Sequence, residues 1–239
     1  MTRRRWIADE FTTTTAVLSG DHADHLIRVL RAQVGQEFDI AAGETVRRGR
    51  ISAIRGQRVE FELGEVLPTS KVARLTLLLA VFKFDRMEWA IEKCTELGVA
   101  RMIPVIAQRT DAHLGTAAVK RRERWERIAR QSAEQSRRTL PPDIGKPIRL
   151  KDAVALPGSS RILLNETEGE VSLKQALQSH PPTEDLLLAI GPEGGWTDTE
   201  LELFKHTGWV SASLGDTILR AETAAIAATA IVIAELEEH

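Results

Sequence analysis

The stretch LTLLLAVFKFDRMEWAIEKCTELG, Leu75 to Gly98, decides how the larger part of this chain folds. Leu75 to Phe82 is an apolar run without alternation, as expected of a strand covered on both faces. Behind it Met87, Ile91, Cys94 and Leu97 recur at helical spacing. Asp85 and Glu88 have the spacing of a capping box, and Gly98 is a stop signal. This is a β-α unit, and others follow it. A strand at Met102 to Ala107 precedes a long charged helix, about Ala117 to Ser136. Arg161 to Asn165 pairs with Ser172 to Gln178, Leu186 to Ile190 with Thr197 to His206, and Val210 to Leu214 with Arg220 to Glu237. Apolar strands alternating with amphipathic helices predict an α/β fold whose parallel sheet is covered on both faces.

The N-terminal part reads differently. QEFDIAAGETVRRGRISAIRGQRVEFEL, Gln36 to Leu63, alternates strand pieces with turn signals at Ala42-Gly43 and at Arg55-Gly56-Gln57, the pattern of antiparallel hairpins. Before it, SGDHADHLIRVLR predicts a helix with Leu26, Val29 and Leu30 on one stripe and Arg28 and Arg31 off it. Leu67 to Ser70, LPTS, reads as a linker.

With 239 residues, 43% of them apolar, the chain can bury a core and has room for two domains. The single cysteine excludes an internal disulfide and any thiolate metal site, and suits a reducing compartment. MTRRRWIADEF carries positive charge but no following apolar segment, so no secretory signal is expected. Ala224 to Leu236 is too short and too polar to span a bilayer. A cytoplasmic protein is the expectation. The net charge is only -2, unevenly spread: residues 1–58 carry ten basic against seven acidic groups, residues 120–138 eight against three, and residues 184–239 two against eleven. Local phosphate binding and ordinary solvated faces both fit this distribution. His22 and His25 have ligand-like spacing but no third ligand, so no metal is expected.

Ligands of parallel sheets bind beyond the carboxyl ends of the strands. Three such ends are rich in small or polar residues: RILLNETEG, with Asn165 and Glu166; LAIGPEGGWTDTE, with Gly191, Glu193, Gly194 and Gly195; and SLGDTILRAETAA, with Gly215, Arg220, Glu222 and Thr223. GPEGG lacks the Lys-Ser/Thr of a phosphate-binding P-loop and places Glu193 where it would repel phosphate, which disfavours a nucleotide hydrolase. A tight turn and one wall of a pocket fit it equally. The three ends form one crevice only if their strands are neighbours. In RWERIARQSAEQSRRTLPP, Trp125, Ile128, Ala129 and Ser132 face inward, and Gln135, Ser136, Arg137, Arg138 and Thr139 form a donor-rich patch able to hold phosphate or a base edge.

EKCTELGV, RWERIARQSAEQS, LAIGPEGGWTDTE and LGDTILRAETAAIAA, in that order after HLIRVLR and VGQEFDI, resemble the ribosomal RNA small subunit methyltransferase E family of the SPOUT superfamily. The resemblance implies a PUA-like, RNA-binding β-barrel at residues 1–68 and a SPOUT methyltransferase domain at residues 69–239 whose C-terminal part is tied in a trefoil knot. It implies a homodimer that methylates uracil N3 at position 1498 of 16S rRNA in the small ribosomal subunit. S-adenosyl-L-methionine would be held by Leu164, Asn165 and Glu166, by Ile190, Gly191, Gly194 and Gly195, and by Leu214, Gly215, Leu219 and Thr223. Arg137 stands where relatives often have Gly, Cys94 where Ala is usual and Trp196 where Phe is common; neither of the last two is expected to touch the chemistry.

Uracil N3 is not nucleophilic until its proton leaves, so a carboxylate to take the proton and a cation to hold the resulting charge are required. Glu193 or Glu222 fits the first role, and Arg138 or Arg220 the second. Arg3, Arg4, Arg5, Arg28, Arg31, Arg47, Arg48 and Arg50, with Gln135 and Ser136, are the candidates for gripping RNA. The alternative is a non-catalytic ribosome-assembly factor that binds RNA but no cofactor.

Overall fold

The computed structural model describes residues 5–68, 74–179 and 185–237. Arg3, Arg4 and half of the expected linker, Thr69 and Ser70, lie outside them. Two compact units emerge: residues 1–71 with 130–141, and residues 72–129 with 142–239.

The first unit contains β1 (Arg5–Ile7), β2 (Glu10–Phe11), β3 (Thr15–Ser19), α1 (Gly20–Asp24), β4 (Glu37–Ala42), β5 (Thr45–Arg55) and β6 (Arg58–Leu67). The strands form one sheet in the order β1-β4-β5-β6-β3-β2, antiparallel except for the parallel β1–β4 pair. Both expected hairpin turns are present, at Gly43-Glu44 and Gly56-Gln57. Trp6, Leu18, Leu26, Ile40, Ile51, Val59 and Phe61 make its core. The helical stripe departs from expectation. Leu26 is buried, but Val29 and Leu30 are exposed. After α1 the chain widens into a π-turn, His25–Val29, in which Leu30 N–H donates to the His25 carbonyl five residues back. The wider turn rotates Val29 and Leu30 off the face that Leu26 occupies.

The second unit is built from β7 (Leu75–Ala80), α2 (Phe84–Leu97), β8 (Arg101–Ile106), α3 (Ala112–Gln135), β9 (Asp143–Ile144), β10 (Ile148–Arg149), α4 (Leu150–Ala153), β11 (Ser160–Leu164), α5 (Leu173–Ser179), β12 (Leu186–Ile190), α6 (Asp198–His206), β13 (Val210–Ala212) and α7 (Ala221–Glu237). All its strand pairings are parallel, in the order β10-β8-β7-β12-β11-β13, with β9 also on β8. Alternation in the central strands divides their side chains between two layers. Leu75, Leu77, Leu79, Leu186, Leu188 and Ile190 point into one core with α2, α3 and α7; Leu78, Ala80, Leu187 and Ala189 point into the other with Phe204 and Trp209. That is why these strands read as unbroken apolar runs.

α2 stops at Gly98, whose φ of 109° is left-handed and suits a residue without Cβ. Its start differs from expectation. The N-cap is Lys83, with no side-chain cap, so the Asp85–Glu88 capping box does not form. The helix begins one residue before Asp85, which puts Asp85 inside the first turn. Glu88 instead accepts from Arg124 at 2.7 and 2.8 Å. Cys94 is fully buried and receives Thr229 Oγ1 at 3.5 Å; burial pushes its thiol up to about 12, so it remains a neutral core group.

α3 starts at Ala112, five residues before the expected Ala117, and its last turns belong to the first unit. There Ala133 packs with Ile7, Ala41 and Val46, Arg130 pairs with Asp9 at 2.8 Å, and buried Glu134 lies 3.4 Å from His22. The helix closes with Arg138 N–H on the Ala133 carbonyl at 2.8 Å and Arg137 N–H on the Glu134 carbonyl at 3.3 Å, which requires left-handed backbone at Arg137, φ 61°. Arginine thus occupies a conformation that glycine adopts freely. Replacing Arg137 with Gly is expected to stabilise the protein by about 0.5–1 kcal/mol, the left-handed penalty less the entropy of glycine; a urea melt with unchanged or lower stability contradicts that account.

Candidate functional site

Because β12 is flanked by β11, and β11 by β13, the carboxyl ends of the three strands adjoin. The loops that follow them enclose a cavity of about 450 Å³, within the range of small-molecule sites. Leu164, Asn165 and Glu166 line it after β11, Ile190, Gly191, Glu193 and Gly195 after β12, and Leu214, Gly215, Leu219 and Arg220 before α7. Of the remaining residues expected here, Gly194 and Thr223 are not in the lining. The Gly194 carbonyl accepts from Arg109, and Thr223 is exposed on α7.

Trp196 holds the loops together. Its indole is 7% exposed and donates from Nε1 to the Leu164 carbonyl at 3.0 Å, tying the end of β11 to the loop after β12. A Cβ on Gly191 would stand 3.2 Å from that nitrogen, so glycine lets the loop lie against the ring. Trp196 also lines the cavity. Gly195 has φ 69°, and a Cβ there would meet Glu166 Oε1 at 2.5 Å; the missing side chain leaves room for that carboxylate. From there the chain enters α6 through a complete capping box. Glu200 N–H donates to Thr197 Oγ1 and Thr197 N–H to Glu200 Oε2, as its spacing predicts. Glu200 also accepts from Gln108 N–H at 2.7 Å, fastening the loop after β8 to the same wall.

Two arginines of the lining, Arg86 and Arg109, were not singled out from the sequence. Arg86 lies in the first turn of α2 and donates from Nη1 to Glu193 Oε1 at 2.7 Å, while its Nε stands 3.8 Å from Glu222 Oε1. Glu222 is 2% exposed, sits in the first turn of α7 between the lining residues Ala221 and Ala224, and has no hydrogen-bond partner for Oε2 among the described residues. Sequence signals existed for neither arginine beyond helical phase: Arg86 falls off the apolar stripe of α2, as a solvated arginine does. Arg220 is exposed at the rim.

Arg138 belongs to the first unit and is not among the lining residues. Burial pushes its guanidinium down to about 10, and it stays a cation at neutral pH. Ser136 Oγ is used within α3, donating to the Ser132 carbonyl at 2.8 Å, and Gln135 is exposed. Among the arginines of the first unit, Arg28, Arg31 and Arg50 are exposed. Arg5 donates to the Arg137 carbonyl and is held below the ordinary arginine range by burial. Arg47 donates to the carbonyls of Gly64 and Thr13, and Arg48 pairs with Asp39. Arg5, Arg47 and Arg48 therefore each carry a structural duty in addition to their charge.

The RNA methyltransferase domain family matches residues 68–233. A ribosomal RNA small subunit methyltransferase E from Rickettsia conorii is 35% identical over 222 residues, covering 89% of this chain and 87% of that protein. The enzyme of that name from Bacillus subtilis is 30% identical, with 93% and 91% covered. The chain belongs to this family. A small subunit methyltransferase E structure from Neisseria gonorrhoeae, solved with S-adenosyl methionine bound, superposes with a TM-score of 0.84 at 27% identity over 96% of each chain. The likeness runs through both units, so membership in the methyltransferase E family covers the N-terminal sheet as well as the cavity.

Trp196→Phe keeps the ring but leaves the Leu164 carbonyl without its donor, and is expected to cost about 1–2 kcal/mol, a fall of roughly 2–8 °C in Tm. A calorimetric melt identical to that of the wild type shows that the indole bond contributes nothing.

Proposed function

We propose that the protein transfers a methyl group from S-adenosyl-L-methionine to N3 of the uridine at position 1498 of 16S rRNA in the small ribosomal subunit. One observation carries this: in a chain of the methyltransferase E family, three adjoining strand ends form a cavity with both an apolar lining and opposed charges. Leu164, Ile190, Leu214 and Leu219 suit an adenine ring, the backbone around Gly191 and Gly195 offers donors and acceptors, and the carboxylates of Glu166 and Glu193 suit hydroxyls and positive charge. The residues present thus fit the cofactor. When bound, it supplies an electrophilic methyl group on a sulfonium sulfur.

Glu193, at the cavity wall, takes the N3 proton as the N–C bond forms, and Arg220 holds the charge that spreads onto O2 and O4. The products are N3-methyluridine and S-adenosylhomocysteine, with the proton on Glu193 until it passes to water. Arg138 remains a candidate for RNA phosphate, together with Gln135, Ser136 and the exposed Arg28, Arg31 and Arg50. Arg5, Arg47 and Arg48 have lower priority because they are bonded internally, and Arg3 and Arg4 lie outside the described residues.

The same reading assigns residues 1–68 to a PUA-like RNA-binding barrel and residues 69–239 to a SPOUT domain with a trefoil knot. The mostly antiparallel N-terminal sheet supports the first. For the knot, the support is the insertion of β12 between β7 and β11, with the loops after β12 and before α7 on one cavity. A homodimer is supported by small residues left exposed on α7, such as Ala230 and Ala234. Among the described residues no helix is long and apolar enough to cross a membrane, in keeping with action in the cytoplasm.

Unmodified small subunits incubated with protein and S-adenosylmethionine, then digested for nucleoside mass spectrometry, are expected to contain 3-methyluridine at one position. Glu193→Gln should lower the single-turnover rate by about 100-fold or more. RNA binding without cofactor binding in calorimetry, and no 3-methyluridine, would establish the assembly-factor alternative instead.

A further inference from the structure

Arg86 stands between two carboxylates of unequal standing. Glu193 is partly exposed and holds the guanidinium in a 2.7 Å hydrogen bond; Glu222 is buried, lies 3.8 Å from the same guanidinium, and keeps Oε2 open. A buried carboxylate with an unmade hydrogen bond is costly and calls for a reason. Of the elements that pack on α7, β7 and β12 carry no charged residue, α5 sends its one lysine, Lys174, to Glu235 at the other end of the helix, and on α2, which also carries Asp85 and Glu88, Lys93 is held by Glu92 and Glu96. Arg86 is thus the one cation that an ion pair brings to Glu222 among the described residues.

We infer that Arg86 is a positioning residue handed from Glu193 to Glu222 during the reaction. This rests on the proposed role of Glu193 as proton acceptor. While Arg86 is bonded to Glu193, its guanidinium occupies a carboxylate oxygen that could take the proton. As Glu193 gains the N3 proton and becomes neutral, the guanidinium loses its partner. Closing the 3.8 Å gap to Glu222 by roughly 1 Å makes a charge-assisted hydrogen bond of ordinary length. No proton reaches Glu222; it is a counter-charge kept in reserve inside the protein, within reach of Arg86 through Oε1. When Glu193 releases its proton, Arg86 returns.

The two partners of Arg86 then have opposite signatures. Arg86→Gln removes the cation that disfavours protonation of Glu193, and moves the acidic limb of the single-turnover pH–rate profile to higher pH. Glu222→Gln leaves Arg86 committed to Glu193, and moves the same limb to lower pH. Each lowers the rate at neutral pH by about tenfold, and the double variant is no slower than the slower single one. Arg86→Lys restores the position of the limb. The other charges around the cavity, Arg109, Glu166, Asp198, Asp216 and Arg220, are common to all variants.

A second readout does not involve turnover. Arg86→Gln leaves buried Glu222 without its counter-charge and lowers Tm by roughly 4 °C, and adding Glu222→Gln recovers most of that loss, whereas adding Glu193→Gln does not. Affinity for S-adenosylmethionine, measured by calorimetry, changes less than threefold in Glu222→Gln. Limbs that move in the same direction, additive rate losses, or no recovery of Tm overturn the hand-off. A Glu222→Gln variant as slow as Glu193→Gln makes Glu222 the acceptor itself and also overturns it. If the wild type forms no 3-methyluridine, the proposed function fails, and the Tm series alone decides whether Arg86 and Glu222 are paired.

Discussion

Everything at the site depends on where β12 lies. Its five residues are buried on both faces, hydrogen-bonded to β7 on one side and β11 on the other, in registers that pair Leu188 with Leu77 and with Ile162. A slip of one residue would turn Leu186, Leu188 and Ile190 into the opposite layer, so the two cores together pin the register. With β12 fixed, the Gly191–Gly195 loop emerges beside the end of β11. A crevice forms from backbone that no single motif specifies.

The apolar runs, their spacing and the stops after them were enough to read the parallel sheet, because burial on both faces leaves a strand no polar positions to alternate with. The Thr197–Glu200 cap was readable for a similar reason: it is local, and its partners lie three residues apart. The failures have local causes too. A π-turn changes helical phase without changing composition, which is why Val29 and Leu30 escaped the stripe assigned to them. The Asp85–Glu88 pattern met its spacing rule, but Glu88 is bound by Arg124 from α3, a partner 36 residues away.

The site was legible as three candidate strand ends and illegible in its wiring. Nothing in GPEGG announces that Glu193 will meet an arginine 107 residues earlier. Glu222 lies two residues after Arg220 in the sequence, yet it is buried and within 3.8 Å of Arg86 on α2, while Arg220 is exposed. Trp196 shows the converse: an aromatic residue that reads as packing also supplies a hydrogen bond that spans two loops.

The long helix α3 carries a further consequence. Its sequence is continuous, but Ala112 to Ala129 contribute to one compact unit, and Arg130 to Gln135, with the residues up to Pro141, to the other. The N-terminal sheet therefore completes its own core with a segment encoded some sixty residues downstream: Ala133 beneath Ile7, Ala41 and Val46, Arg130 on Asp9, and Glu134 beside His22. A fragment cut after β6 would carry every strand of that sheet and still be incomplete. In this protein the boundaries of the gene segment and of the folding unit do not coincide, and the N-terminal part is not a module that can be transplanted by its strands alone.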